Sequence, residues 1–189
     1  MNRDQSFNKN RLITSGFPRS GNVFLNYALK ETYYPDLEVL AQTHVTNTFK
    51  EYSYVITPIR NPLDCIASWN QYQENFSYPR DLNADIAYYL RFYSYVIKNP
   101  NNIRLLDFDI FTVNIEYITN KITAFTGIEL VKKTSLDDIK SAMINDNKAS
   151  NLPRDTFGAL NEIKDRLKEM NSFTECIDVY TYLKLLGEK

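Results

Sequence analysis

Four short apolar runs punctuate the chain: Leu12 to Ser15, Leu37 to Gln42, Tyr54 to Ile59 and Ile103 to Leu106. Each is only a few residues long and rich in Leu, Ile and Val, the pattern of strands buried on both faces. Pro58 weakens the third run or places it at a strand's end, because proline cannot donate to a ladder. Between the runs the pattern turns helical. Val23 to Thr32 reads as one helix. Asn61-Pro62-Leu63-Asp64 starts another that runs to about Tyr72, with Asn as cap, Pro at the first helical position and an acid in the first turn. A longer helix runs from about Leu82 to Lys98 and stops before Asn99-Pro100. Asn114 caps a further helix that Gly127 closes. The C-terminal third is helical, interrupted near Asn151-Leu152-Pro153-Arg154. Strands alternating with helices predict an α/β fold with a parallel sheet covered by helices on both faces. No repeat, low-complexity tract or linker divides the chain, so residues 1–189 are expected to form a single domain.

Composition narrows the chemistry. A formal net charge of −1 supplies no general basic field for nucleic acid or anionic lipid, so neither is expected as a partner. An anion would have to be held by a few placed arginines and backbone amides. Cys65 and Cys176 lie far apart without metal-like spacing, which fits a reduced, cytoplasmic protein. The N-terminus MNRDQSFNKNR has no apolar leader pattern, and no run is long enough to span a membrane. Aromatic residues are abundant, with 14 Tyr against one Trp, and many fall between Trp69 and Tyr95. They suit either the packing of long helices or a stacking platform for a sugar or ring acceptor.

The first candidate for chemistry is GFPRSGN, Gly16 to Asn22, between the first strand and the first helix. Glycines five apart let backbone N–H groups converge on an anion at a helix N-terminus, and Arg19 adds a permanent cation. A tight turn is the plainer alternative. The usual nucleotide loop ends G-K-[ST], but here Asn22 and Val23 replace the Lys and the magnesium-binding hydroxyl. Such a loop is not equipped for a magnesium triphosphate.

The segment F-P-R-S-G-N-x-F-L resembles the 5′-phosphosulfate loop of the sulfotransferases, commonly Y-P-K-S-G-T-T-W-L. Their donor is 3′-phosphoadenosine 5′-phosphosulfate (PAPS), whose transfer needs no metal. A second stretch, Arg60-Asn-Pro-Leu-Asp-Cys-Ile-Ala-Ser68, resembles the family's 3′-phosphate motif R-[ND]-P-x-D-x-x-x-S. Arg60 at a strand end and Ser68 two turns into the following helix are spaced to reach one phosphate. Alone, the same stretch would also suit a capped helix with a surface arginine. The chain's sole histidine, His44 in Gln42-Thr-His-Val, is similar to the family's K-T-H-L-P, where the histidine is the catalytic base. Gln42 stands for that Lys and Thr46 for that Pro. An imidazole titrating near pH 6.5 suits removal of a hydroxyl proton.

Further on, Leu105-Leu-Asp-Phe-Asp-Ile110 is similar to the family strand L-x-Y-E-D-[LM], whose Tyr lines the adenine site; Asp107 or Phe108 takes its place, depending on register. Arg154-Asp-Thr-Phe-Gly158 resembles a remnant of R-K-G-x-x-G, which also grips the 3′-phosphate; a plain loop is the alternative. The resemblance implies a P-loop-type sheet and transfer of a sulfuryl group to a hydroxyl on a carbohydrate or small molecule. His44 would act as base and Arg19 would stabilise charge during transfer, both catalytic, while Arg19, Ser20, Gly21, Asn22, Val23, Arg60, Ser68 and Arg154 would hold the donor, with no metal. The rivals are a relative that binds PAPS or its product without turnover, and a small P-loop kinase. Acceptor identity and oligomeric state are not legible in the chain.

Overall fold

The computed structural model describes residues 10–32, 36–40, 42–46, 49–74, 81–129, 134–146 and 157–188. Four strands, β1 (Arg11–Thr14), β2 (Glu38–Val39), β3 (Tyr54–Ile59) and β4 (Ile103–Asp107), form one parallel sheet in the order β2-β1-β3-β4. The eight helices among the described residues are α1 (Asn22–Glu31), α2 (Pro62–Glu74), α3 (Leu82–Lys98), α4 (Phe108–Phe111), α5 (Ile115–Thr126), α6 (Leu136–Asn145), α7 (Phe157–Glu169) and α8 (Phe173–Gly187). The expected parallel α/β architecture is present.

Both faces of the sheet are buried, which is why its strands read as continuous apolar runs rather than alternating ones. Ile13, Val55, Ile59, Ile103 and Leu105 face a core closed by α2, α3, α7 and α8. Leu12, Ile56 and Leu106 face the opposite core, closed by α1, α5 and α6. The chain leaves β1 through α1 on one face and leaves β3 through α2 and α3 on the other. The strand order therefore reverses between β1 and β3. In open α/β sheets the crevice beyond the carboxyl ends of two such strands is where ligands bind.

Local signals set the element ends. Asn61 Oδ1 accepts from the Leu63 amide at 2.9 Å, and Pro62 opens α2. Asp81 caps α3, accepting from Asn83 and Ala84, and Asn114 caps α5, which Gly127 ends in the left-handed conformation at φ 71°. The buried Asp85 carboxylate on α3 accepts from Asn70 Nδ2 and Gln73 Nε2 of α2, each at 2.8 Å, and so ties the two helices together. Burial raises its pKa.

Two departures from the sequence reading have clear causes. The second strand is reduced to Glu38–Val39, although Leu40 N still donates to Leu12 O and Thr43 N to Thr14 O, both at 2.9 Å. Pairing resumes at a bridge between Ser15 and Thr43. Pro58, in turn, lies inside a strand with neighbours on both sides. Ile56 O accepts from Ser15 N, so Pro58, two residues on, also faces β1. There β1 has already turned into its loop, and the missing N–H has no strand to serve. The Pro58 carbonyl instead accepts from the buried Tyr93 hydroxyl of α3 at 2.8 Å.

That bond carries a stability prediction. Tyr93→Phe should leave the buried carbonyl without its donor and cost about 1–3 kcal/mol, read as a lower denaturant midpoint with an unchanged slope. An unchanged midpoint would show that the carbonyl finds another partner.

Candidate functional site at the switch point

The loop between β1 and α1 is held from inside by its own side chains. Ser20 N and Ser20 Oγ both donate to Phe17 O, at 3.2 and 2.6 Å. Asn22 Nδ2 reaches Gly16 O at 3.2 Å, Phe17 O at 2.9 Å and Ser20 Oγ at 3.2 Å. Ser20 and Asn22 are both buried, so their side chains shape the loop. Their positions leave the helix N-terminus, with its unpaired amides and partial positive charge, at the crevice. Gly21, the α1 cap, sits at φ 99°, and a Cβ there would come within 2.7 Å of ring atoms of both Phe108 and Phe111. Gly16 has a different reason to lack a side chain: a Cβ would meet Asn22 Oδ1, Ser20 Oγ and Pro58 Cγ at 2.7 Å.

Arg19 is the positive-φ residue other than glycine among those described, at φ 65°. A left-handed arginine is uncommon and costs of order 1 kcal/mol, and such residues gather where the surroundings hold them for a purpose. Here the surroundings are the second motif. Arg60 Nη1 donates to Arg19 O at 2.8 Å, and Arg19 Nε donates to Ser68 Oγ at 3.1 Å. Arg19, Arg60 and Ser68, separated by 41 and 49 positions in sequence, thus meet at one place. Each guanidinium also lies over an aromatic face, Arg19 over Tyr72 at 5.1 Å and Arg60 over Phe108 at 4.3 Å. Asp64, the acid of the second motif, is bound by Lys164 of α7 at 2.5 Å, which docks that helix on α2.

His44 reaches the other end of the loop. The Ser15–Thr43 bridge delivers it there, and its Nδ1 lies 2.9 Å from Gly16 O. A carbonyl can only accept, so Nδ1 carries the proton and Nε2 keeps its lone pair. Burial lowers the imidazole's pKa below 6.5, with the Gly16 bond partly offsetting that effect. Its backbone is fixed from α3, where Tyr88 OH donates to His44 O at 2.9 Å. The tyrosine ring packs on Phe17 at 5.1 Å. The buried Gln42 Oε1 has no hydrogen-bond partner among the described residues. Arg154 lies outside the described residues, as does the predicted helix interruption around it.

Sequence reasoning did not single out two side chains at this site, Tyr72 and Tyr88, although both lie in the aromatic stretch. Tyr72 is four residues after Ser68, hence on the same helix face, and that spacing was a usable signal. Phe108 was one of two candidates in its strand; Asp107 is instead committed to its own turn and to Lys184. Tyr88 had no signal beyond helical periodicity. Its neighbours Tyr89, Phe92 and Tyr93 are simply core, so among the described residues of the aromatic stretch these pack while Tyr72 and Tyr88 reach the site.

Comparison with solved structures gives a match to the crystal structure of mouse sulfotransferase SULT7A1 complexed with PAP. The TM-score is 0.56 at 16% identity, over 93% of this chain and 88% of that one. The class the fold defines is therefore the P-loop-type α/β fold of the sulfotransferases. No protein-family profile matches the chain, and no curated protein sequence matches it. Among the described residues no helix is long and apolar enough to cross a membrane.

The two left-handed glycines offer an internal comparison. Gly127→Ala meets nothing within 4 Å and should cost about 1 kcal/mol for its φ of 71° alone. Gly21→Ala must also displace two phenylalanine rings and should cost about 1–3 kcal/mol more. Paired denaturant titrations would read the difference, and equal losses would mean that the Phe108 ring yields freely.

Proposed function

We propose that this protein is a sulfotransferase, moving a sulfuryl group from PAPS to the hydroxyl of a carbohydrate or small-molecule acceptor. The observation that carries this reading is the meeting of both motifs on Arg19, with the loop's Gly16 carbonyl bound to a histidine. The residues present suit an adenylyl sulfate. The crevice is cationic, Gly21 permits close approach, and neither the lysine nor the hydroxyl of a magnesium-triphosphate loop is there. PAPS supplies a sulfuryl group on a good leaving group, so no metal is needed to polarise it.

In this mechanism the amides opening α1 and the Arg19 guanidinium hold the 5′-phosphosulfate and stabilise charge on its oxygens, mainly by positioning and preorganised electrostatics. Arg60 and Ser68 recognise the 3′-phosphate, Arg60 by charge-assisted hydrogen bonds. His44 Nε2 accepts the acceptor's hydroxyl proton as the new O–S bond forms and the bond to the 5′-phosphate oxygen breaks. The resulting imidazolium is stabilised by its Nδ1–H bond to Gly16. The binder without turnover is the second reading, favoured by Gln42 standing in the place of the family's Lys. Single-turnover transfer from radiolabelled PAPS, screened across carbohydrates, phenols and lipids, separates the two.

His44 gives the sharpest catalytic expectation. His44→Ala should lower turnover about 10²–10⁴-fold while leaving donor affinity nearly intact. Because the base must be neutral and its pKa is lowered, wild-type kcat should be flat at neutral pH and fall only as pH drops below about 6.5. A variant turning over normally, or an acid limb well above pH 6.5, would place the base elsewhere.

A further inference from the structure

Phe108 joins the two halves of the site. It follows the last residue of β4, and its place is set by Asp107. That carboxylate accepts from the Asp109 amide at 3.0 Å and pairs with Lys184 of α8, while the Asp107 amide lies 3.3 Å from Tyr117 OH. The turn so fixed, the Phe108 ring packs edge-on against Phe111 at 5.5 Å and 78°. One edge of the ring fills the space that a Cβ on Gly21 would need. Its face carries the Arg60 guanidinium at 4.3 Å.

An arginine side chain has four rotatable bonds, and a single bond from Nη1 to Arg19 O leaves its plane free to turn about that contact. A ring face under the guanidinium removes that freedom. Arg60 is thus held at two points, by a carbonyl along one edge and by a π face below. The remaining N–H groups of its planar fork are presented in a fixed direction. The same ring also sets the clearance of Gly21, where the first phosphate group would approach. We infer that Phe108 is a positioning residue that orients Arg60 and thereby sets the preference for a nucleotide carrying a 3′-phosphate. This rests on the sulfotransferase reading for the identity of that phosphate, and on the contacts alone for the orientation of Arg60.

The test is calorimetric binding of 3′-phosphoadenosine 5′-phosphate and of AMP to wild type, Phe108→Tyr, Phe108→Leu, Arg60→Ala and the Phe108→Leu/Arg60→Ala double variant, with thermal unfolding alongside. Wild type and Phe108→Tyr, which keeps the ring face, should share one preference for the bisphosphate. Phe108→Leu should lose about 5- to 30-fold of it, the range of a cation–π contact from exposed to partly desolvated, read as the ratio of the two affinities so that any loss shared through the common adenine cancels. In the Arg60→Ala background the leucine should remove nothing further, because a residue acting through Arg60 has no target once Arg60 is gone. If Phe108→Leu folds poorly, Phe108→Met supplies a core-compatible chain without a π face, and the same loss is expected. Full preference in Phe108→Leu or Phe108→Met, or losses that simply add in the double variant, would overturn the positioning role alone. A wild type with no preference for the bisphosphate would remove both the sulfotransferase reading and this inference.

Discussion

The left-handed backbone at Arg19 is the constraint on which the candidate site depends. It turns the carbonyl toward Arg60 and the side chain toward Ser68, so a loop after the first strand and a helix after the third grip the same residue. A non-glycine residue in that conformation is unfavourable by of order 1–3 kcal/mol, and two hydrogen bonds, both from guanidinium donors, are of a size to offset it. Everything else supports that grip. The Asn22 and Ser20 side chains brace the loop from within, and the Phe108 ring lies under both Gly21 and Arg60. The Asp85 carboxylate fixes α2, and with it Ser68, against α3.

The reversal of strand order between β1 and β3 explains why the site lies where it does. β1 ends in the loop from Gly16 to Asn22, and Arg60 follows the last residue of β3, with Pro58 tolerated because β1 has already departed. His44 arrives from the β2 side just after the bridge between Thr43 and Ser15. The result is a cationic crevice with a neutral, partly buried imidazole at one end. Its Nε2 lone pair is free to accept a proton because the Gly16 carbonyl fixes the other nitrogen as donor. That arrangement suits transfer of an anionic group without a metal.

Much of this was legible in the chain. Strand runs buried on both faces, Asn61-Pro62, Asn114 and Gly127 are short-range signals, and each element they predicted is present. The spacing of Arg60 and Ser68 named both residues, though not their meeting point: a strained φ at Arg19 is a consequence of tertiary contacts, and no local preference encodes it. Ser20 and Asn22 read as donor contacts through their backbone amides; that their side chains turn inward to brace the loop depends on carbonyls that only the folded loop presents. Tyr88 was hidden for a related reason. An aromatic side chain on a helix reads as core, and only the three-dimensional packing shows which face reaches a crevice.

The proposed function requires that this loop serve an adenylyl sulfate and not a magnesium triphosphate. Equilibrium binding to the wild-type protein in excess EDTA, with 3′-phosphoadenosine 5′-phosphate as ligand and magnesium-ATP as a separate challenge, tests it most directly. The bisphosphate should bind fully without metal, and magnesium-ATP should neither bind well nor displace it. Binding of magnesium-ATP in preference to the bisphosphate, or loss of bisphosphate binding on removal of magnesium, would contradict it.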